Sequence, residues 1–173
     1  MKTIKFFILS MFFLATNYIY SQTEAGYKFS EYPAKKIEKT KAKINYSSNS
    51  TGSSFKTQIK EQYKNGKVDF GGHYITITWG AGAGLTVGAM VDIIDGKIYD
   101  LPLSEENSYR GTHHRENNNI LYKPNSNLFI CYSSLNSEKE GYVKLNYSIY
   151  KWNDKTKKFS LIKTKEITEK QVD

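Results

Sequence analysis

Alternating apolar and polar positions run through most of the chain after residue 66 and predict β-strands. The clearest pair covers residues 74–79 and 86–94, where apolar side chains recur at every second position. Asp95-Gly96 then provides a two-residue hairpin signal that leads into a strand at residues 97–101. The same alternation predicts further strands at residues 120–122, 128–132, 142–152 and 159–163.

One segment before these strands has the spacing of an amphipathic helix, at residues 53–64. Its apolar side chains recur at every fourth position and would share one buried face: Phe55, Ile59 and Tyr63. Ser53 or Ser54 can cap the first turn, and Asn65-Gly66 is typical of a helix C-terminus that ends with a residue in the left-handed conformation. A short strand is also expected near residues 41–46, where apolar residues alternate.

Together these elements predict an α+β fold, in which a mainly antiparallel meander of six to seven strands carries one packed helix. A small β-barrel or a β-sandwich is the alternative. We expect a polar N-terminal segment at residues 22–52 and a single domain at residues 53–173. A long polar loop without periodicity, residues 103–119, separates the early strands from the late ones.

Residues 1–21 have the composition of a secretory signal peptide. Lys2 and Lys5 give a positive start, and residues 4–15 are almost wholly apolar. This apolar run is shorter than the roughly 20 residues that a membrane-spanning helix needs. We therefore expect cleavage after Ser21 and a periplasmic or secreted protein that does not span the membrane.

The chain is basic, with 25 Lys and Arg against 17 Asp and Glu and a net charge of +8. Loss of Lys2 and Lys5 with the signal peptide would leave 23 basic side chains and a net charge of +6. An exported protein seldom meets nucleic acid, so its basic surface favours an anionic envelope polymer or an acidic protein partner. Solubility alone would explain the same charge. Cys131 is the single cysteine, which excludes an intramolecular disulfide, and its apolar neighbours predict a buried core residue.

Three glycines occur within five residues of the loop between the first two strands: Gly80, Gly82 and Gly84. The spacing does not fit a dinucleotide-binding G-x-G-x-x-G, because Ala83 or Leu85 stands where the third glycine would be. No Gly-Lys-Ser/Thr follows, so the loop is not a phosphate-binding loop and no cofactor is predicted. A tight or bulged turn is the simpler interpretation. The functional one is a loop that contacts a ligand or partner together with Trp79.

Histidines provide the remaining candidate chemistry. His73 can hold the chain by hydrogen bonds, contact a partner, or act as a general base if a carboxylate such as Asp92 orients it. His113 and His114 lie in the long polar loop but lack the spacing of a metal site, so no metal is predicted. The residues that could form a binding surface are Gly72, His73, Tyr74, Trp79, Gly80, Gly82, Gly84, Arg110, His113 and His114.

Four segments resemble a family of small, exported, largely uncharacterised bacterial proteins, and two of them are residues 122–129, similar to its Y-x-x-D-S-R-L-L, and residues 150–159, similar to its Y-x-W…F. Residues 70–84 are similar to its N-F-x-G-H-Y and W-G-C-G-T-G-C segments, and residues 92–102 to its D-x-x-T-G-K-V-Y with Leu-Pro. The resemblance covers about residues 54–163. Ala81 and Leu85 stand at the positions of the two family cysteines. This chain therefore lacks the role of those cysteines, whether a disulfide or another one. The resemblance implies export but adds no activity.

No nucleophile motif of the G-x-S-x-G type is present. The favoured hypothesis is therefore a non-catalytic exported binding protein, such as an inhibitor or immunity protein that acts on an envelope enzyme or toxin. The alternative from another class is a small envelope hydrolase that uses His73 with Asp92. A structural envelope protein without a discrete site is the third possibility.

Overall fold

The computed structural model describes residue Thr23 and residues 25–109, 119–137 and 139–170. Strands dominate it, and their bounds are β1 Tyr74–Gly80, β2 Thr86–Asp92, β3 Ile98–Asp100, β4 Ile120–Leu121, β5 Leu128–Asn136, β6 Tyr142–Asn153 and β7 Lys158–Lys170. The α-helices are α1 Ser50–Ser54, α2 Lys56–Asn65 and α3 Glu105–Ser108. The α+β class with mainly antiparallel strands is confirmed. Among the described residues, no helix combines the length and the apolar character needed to cross a membrane.

The strands form two sheets, so the prediction of one continuous meander is wrong. One sheet has the order β1-β2-β3 and the other the order β4-β5-β6-β7, and every pairing within them is antiparallel. The break falls after β3, where Pro102 cannot donate to a ladder and α3 follows. Because each sheet has an apolar face that must be covered, the two sheets pack against each other.

Three apolar clusters fill the layers of the fold. Between the two sheets lie buried side chains from both: Phe70, Tyr74, Met90, Leu101, Ile120, Phe129, Cys131 and Trp152. On the outer face of the first sheet, Ile59 and Tyr63 of α2 cover Ile75, Ile77 and neighbouring apolar residues. On the outer face of the second sheet, Ala25 and Phe29 from the N-terminal segment cover Leu128, Ile130, Tyr147 and Ile149, among others.

The helical region begins and ends differently from the sequence prediction. Asn49 caps α1 by accepting a hydrogen bond from the Thr51 N–H (2.7 Å), so Ser53 and Ser54 do not cap a helix. The helix α2 begins at Lys56 without a side-chain cap. Gly66 ends it in an extended conformation (φ −69°, ψ 162°) rather than a left-handed one, so the predicted stop is wrong. Its N–H is satisfied within the helix by the Gln62 carbonyl.

The N-terminal segment crosses the first sheet without forming the strand predicted near residues 41–46. Within that range, the described structure has a single bridge, between Asn45 and Lys97. The N–H of Ala42 donates to the Ile93 carbonyl instead, and that of Asn45 to the Gly96 carbonyl. The segment thus pairs with the loop between β2 and β3. That loop spans residues 93–97, longer than the predicted two-residue turn, and the Asp92 N–H donates to the Lys97 carbonyl across it.

Candidate functional site

The antiparallel register of β1 and β2 places His73 beside Asp92. Tyr74 pairs directly with Asp92, and the Ile93 N–H donates to the His73 carbonyl, so the residue before β1 reaches the end of β2. His73 Nε2 lies 3.5 Å from Asp92 Oδ2. The two side chains are only 5% and 3% exposed. The Ile94 N–H donates to the other oxygen of Asp92 (2.8 Å) and fixes its orientation.

The turn between β6 and β7 adds two charged side chains that the sequence analysis did not assign to this site. Asp154 Oδ1 lies 3.2 Å from His73 Nε2 and accepts hydrogen bonds from the Tyr74 hydroxyl and from Lys157 Nζ (2.8 Å). Lys157 Nζ also donates to the Tyr74 hydroxyl oxygen (2.6 Å) and lies 3.5 Å from Asp92 Oδ2. We call these residues, His73, Tyr74, Asp92, Asp154 and Lys157, the inter-sheet ion cluster.

The charges of the inter-sheet ion cluster stabilise one another. Burial alone would raise the pKa of Asp92, but the hydrogen bonds from His73 and Ile94 and the nearby charges hold that pKa below its usual value. The pKa of Asp154 is likewise lowered, because contacts with Lys157 and Tyr74 outweigh burial. Burial would lower the pKa of Lys157, yet the hydrogen bond and charge of Asp154 raise it. Both carboxyl groups are therefore ionised, and Lys157 is protonated, at neutral pH.

The Tyr74 hydroxyl stays neutral in this setting. Burial raises its pKa first, and its hydrogen bond to Asp154 raises it further, because that bond is made by the protonated hydroxyl. Tyr74 is fully buried and packs edge-on against Trp152, with 5.4 Å between ring centroids. It therefore connects the charges to the aromatic core between the sheets.

His73 is better placed to hold the carboxyl groups of Asp92 and Asp154 together than to act as a catalytic base. A general base needs a nitrogen within reach of a proton on bound substrate. Both carboxyl groups approach the same nitrogen, Nε2, while Nδ1 is buried without a hydrogen-bond partner in the described part of the chain. The more exposed members are Asp154 and Lys157, whose side chains are 47% and 31% accessible. In the described residues no group of three His, Cys, Asp or Glu is arranged to hold a metal ion.

The glycine-rich loop is a tight connection at the other end of β1 and β2. The Ala81 N–H donates to the Leu85 carbonyl (2.9 Å), and the Leu85 N–H donates to the Gly82 carbonyl (2.8 Å). Gly82 and Gly84 have φ angles of +89° and +79°, which glycine adopts without strain. A side chain at Gly80 or Gly82 would meet no atom within 4 Å. These glycines shape an exposed turn and are not pressed against another part of the described chain.

Trp79 forms an aromatic pair with Phe55 beside this turn. The ring centroids are 4.7 Å apart, and the planes are inclined by 38°. Phe55 is 36% exposed because it precedes α2 and turns away from the buried face on which the sequence analysis had placed it. Trp79 is half-buried. The pair therefore presents aromatic surface to solvent, whereas Trp152, Phe70 and Phe129 are fully enclosed.

The aromatic pair borders a groove of about 580 Å³, which we call the Trp79 groove. Its other walls come from α1, α2, β2 and the end of β3, and its polar lining includes Thr51, Gln58 and Asp100. A second depression of about 470 Å³ is lined by Thr78, Trp79 and the turn from Gly82 to Thr86. Both hollows thus share Trp79 and Gly80, and residues 80–84 of the hairpin tip are exposed.

The predicted binding residues fall into separate places. Trp79, Gly80, Gly82 and Gly84 lie at the groove and hairpin tip. The residues at the start of β1 are buried instead: Gly72, His73 and Tyr74. A Cβ on Gly72 would lie 2.1 Å from the Lys35 carbonyl oxygen, so this glycine serves the close approach of the N-terminal segment. The remaining candidates lie outside the described residues: Arg110, His113 and His114.

Comparisons of the chain with protein-family models, with curated proteins and with solved structures find no match. The resemblance to the exported family with the F-x-G-H-Y segment thus rests on this sequence alone. The function has to be argued from the geometry of the Trp79 groove and of the inter-sheet ion cluster.

Proposed function

We propose that this chain is an exported, non-catalytic binding protein that holds a segment of a protein ligand in the Trp79 groove. The observation that carries the proposal is the solvent-facing pair of Trp79 and Phe55, set beside the glycine-rich turn. Large aromatic side chains dominate the energetics of protein interfaces, and tryptophan is prominent among the residues that contribute most. A partly exposed Trp–Phe pair at the border of a groove is a suitable anchor for a partner.

The shape of the site also supports a binding role. The Trp79 groove is open, and its lining combines apolar residues with a few polar ones, namely Thr51, Gln58 and Asp100. Such a mixture orients a bound segment while the aromatic surface supplies most of the affinity. The hairpin tip beside the groove is exposed and can contact the partner as well.

An inhibitor or immunity protein for an envelope enzyme or toxin fits this arrangement. Such a protein needs export, a stable scaffold and a protruding contact surface rather than a reactive group. The excess of basic residues would speed association with an acidic partner.

Affinity capture with matched variants tests the proposal. Purified tagged protein is mixed with an envelope fraction from the source cells, and retained proteins are identified by mass spectrometry. The test variants are Trp79→Ala and Phe55→Ala. The control is Leu135→Ala, which removes an exposed apolar side chain (38% accessible) on β5. The captured protein is then purified and titrated against each variant by calorimetry.

We expect wild type and the Leu135→Ala control to bind one partner with similar affinity. Trp79→Ala should weaken binding by about 30-fold, since truncating a central interface anchor removes about 2 kcal/mol. A partner that all variants bind equally would place the interface elsewhere. The protein-binding role would be contradicted if the folded wild-type protein and its folded variants capture no partner. It would also be contradicted if the protein binds only to purified envelope glycan.

The hydrolase alternative rests on the 3.5 Å approach of His73 to Asp92. For catalysis, the contact between His73 and Asp154 would have to open, so that an imidazole nitrogen faces substrate. Hydrolysis of envelope substrates by wild type but not by a folded His73→Asn variant would favour it over the binding role.

A further inference from the structure

Asp100 is the one charged side chain among the described residues that line the Trp79 groove. It is exposed, and no lysine or arginine of the described chain forms an ion pair with it. Basic residues outnumber acidic ones in this chain by 25 to 17, yet the described lining of the groove includes no basic residue. The groove therefore carries a local negative charge on a protein that is basic as a whole.

The strand register places Trp79 and Asp100 on the same face of the first sheet. Trp79 pairs with Val87, and Asp100 pairs with Ala89, which lies two residues further along β2. Cross-strand partners and residues two apart share a face, and this is the face that α2 covers elsewhere. Two strand spacings and one two-residue step put the Cα atoms of Trp79 and Asp100 about 12 Å apart. In this gap β2 lines the groove with only Val87 and Gly88, so no large side chain of β2 separates the indole from the carboxylate.

Asn49 holds the Asp100 carboxylate in a fixed orientation. The side-chain oxygen of Asn49 accepts a hydrogen bond from the Thr51 N–H (2.7 Å) as the cap of α1. Its side-chain nitrogen donates to Asp100 Oδ2 (3.0 Å). In the described part of the chain, this is the one hydrogen bond that the carboxylate accepts. Because each carboxylate oxygen has two acceptor sites, Oδ1 and the second site of Oδ2 remain for a ligand.

We infer that the Trp79 groove takes an arginine side chain of the bound protein segment, with its guanidinium against the Trp79 ring and its N–H groups on the Asp100 carboxylate. The inference rests on the proposed function and names the chemistry of the ligand at that same site. The face of an aromatic ring attracts cations, and tryptophan is the strongest such platform. The ring and the carboxylate thus both favour positive charge, and the described lining offers nothing that repels it.

Arginine suits this pair of contacts better than lysine does. The guanidinium is planar, so it stacks on an aromatic face, and its donors form a rigid fork that matches a carboxylate. The lysine ammonium is a compact, strongly hydrated point charge that does neither. The basic character of the rest of the chain acts at longer range, where salt screens exposed charges beyond about 10 Å at 0.1 M ionic strength. It can therefore attract an acidic partner while the groove selects one basic side chain of that partner.

Short peptides test the inference by fluorine NMR on the protein labelled with 5-fluorotryptophan. The probes are acetyl-Gly-Arg-Gly-amide and two counterparts, one with lysine and one with citrulline, which is neutral but close to arginine in shape. Trp79 reports on the groove, and the buried Trp152 reports on any general change. We expect the arginine peptide to shift the Trp79 resonance in a saturable titration, with an affinity at least fivefold higher than that of either counterpart. Equal affinities, or no saturable shift, would overturn the inference.

Matched charge variants test the role of the carboxylate with the same arginine peptide. Asp100→Asn keeps the shape of the side chain and an acceptor for Asn49 but removes the negative charge. The control is Asp95→Asn, which makes the same charge change in the loop before β3, outside the groove lining. We expect Asp100→Asn to weaken binding about fivefold, near the upper limit for a partly exposed ion pair, and Asp95→Asn to leave it unchanged. Equal losses in the two variants would indicate general charge attraction and would overturn the inference.

Titration of the captured partner separates failure of this inference from failure of the proposed function. A partner whose binding falls with Trp79→Ala but not with Asp100→Asn would overturn the arginine assignment and leave the binding role of the groove intact. A partner that binds both variants as tightly as the wild type would place the interface elsewhere and contradict both. We expect both substitutions to weaken the partner, with the larger loss at Trp79 because the indole also supplies apolar contact.

Discussion

Asp154 Oδ1 lies 3.2 Å from His73 Nε2, and this contact joins the turn between β6 and β7 to the residue that precedes β1. The two residues directly adjoin strands of different sheets, so the contact links the two sheets. Lys157 and Tyr74 reach the same oxygen. Loss of one charge in this group therefore weakens the compensation of the others, and the cost is highest at the buried Asp92.

Acid should destabilise the protein through the inter-sheet ion cluster. The pKa values of Asp92 and Asp154 are lowered in the folded state, so their stabilising contribution is present above the unfolded-state value of about 4. It is lost as the pH falls from about 4 through the lower folded-state values. We expect the free energy of unfolding, measured by urea denaturation at a series of pH values, to fall steeply in that window.

The variant Asp92→Asn provides the matched control for this pH dependence. At pH 7 it should unfold with a free energy lower by roughly 3 kcal/mol, because one partner of a buried ion pair is removed. Its stability should then depend less on pH below 4. If the free energy of unfolding of the variant falls below pH 4 as steeply as that of the wild type, other carboxyl groups cause the loss of stability.

Two glycines with similar backbone angles should respond very differently to alanine. Gly72 and Gly82 have φ angles of +83° and +89°. Because alanine is strained in this left-handed backbone conformation, both substitutions cost about 1 kcal/mol. Only at Gly72 would the new Cβ meet a backbone atom, the Lys35 carbonyl oxygen at 2.1 Å. We expect Gly72→Ala to lower the free energy of unfolding by about 3 kcal/mol or more. Chemical denaturation of both variants measures the difference, and equal losses would refute a close-approach role for Gly72.

Cys131 should be unreactive until the protein unfolds. It is fully buried between the sheets, and burial raises the pKa of its thiol to about 12. The thiolate needed for reaction is therefore scarce at neutral pH. Labelling with a thiol-specific disulfide reagent should be very slow in buffer and rapid in denaturant. Rapid labelling of the native protein would indicate that the sheet interface opens locally.

Local patterns predicted the position of every described strand but not the full length of β7, nor how the strands assemble, and the strand expected near residues 41–46 does not form. β1 and β2 follow from strict alternation, and their pairing placed Asp92 near His73 as the sequence suggested. The division into two sheets depends on which strands cover each other's apolar faces, and no local window contains that information. The start of α1 was missed because Asn49, rather than Ser53 or Ser54, is the cap. The helix α2 begins at Lys56 without a side-chain cap, so no capping residue marks its start in the sequence.

The candidate site was predicted only in part for the same reason. Trp79 and the exposed turn follow from composition, since three glycines beside a strand end favour a tight connection. Asp154 lies 81 residues from His73, in a segment whose sequence predicts only a turn. Phe55 has helical spacing with Ile59, yet the start of α2 at Lys56 leaves it outside the helix and beside Trp79.

The most direct test of the proposed function observes both tryptophans at once. The protein is labelled with 5-fluorotryptophan, the two fluorine resonances are assigned with Trp79→Phe, and an unlabelled envelope extract is added. Trp79 borders the groove, whereas Trp152 is 2% exposed and serves as the internal control. We predict that the Trp79 resonance shifts or broadens while that of Trp152 stays unchanged. Two unchanged resonances in an extract containing the captured partner would contradict binding at the Trp79 groove.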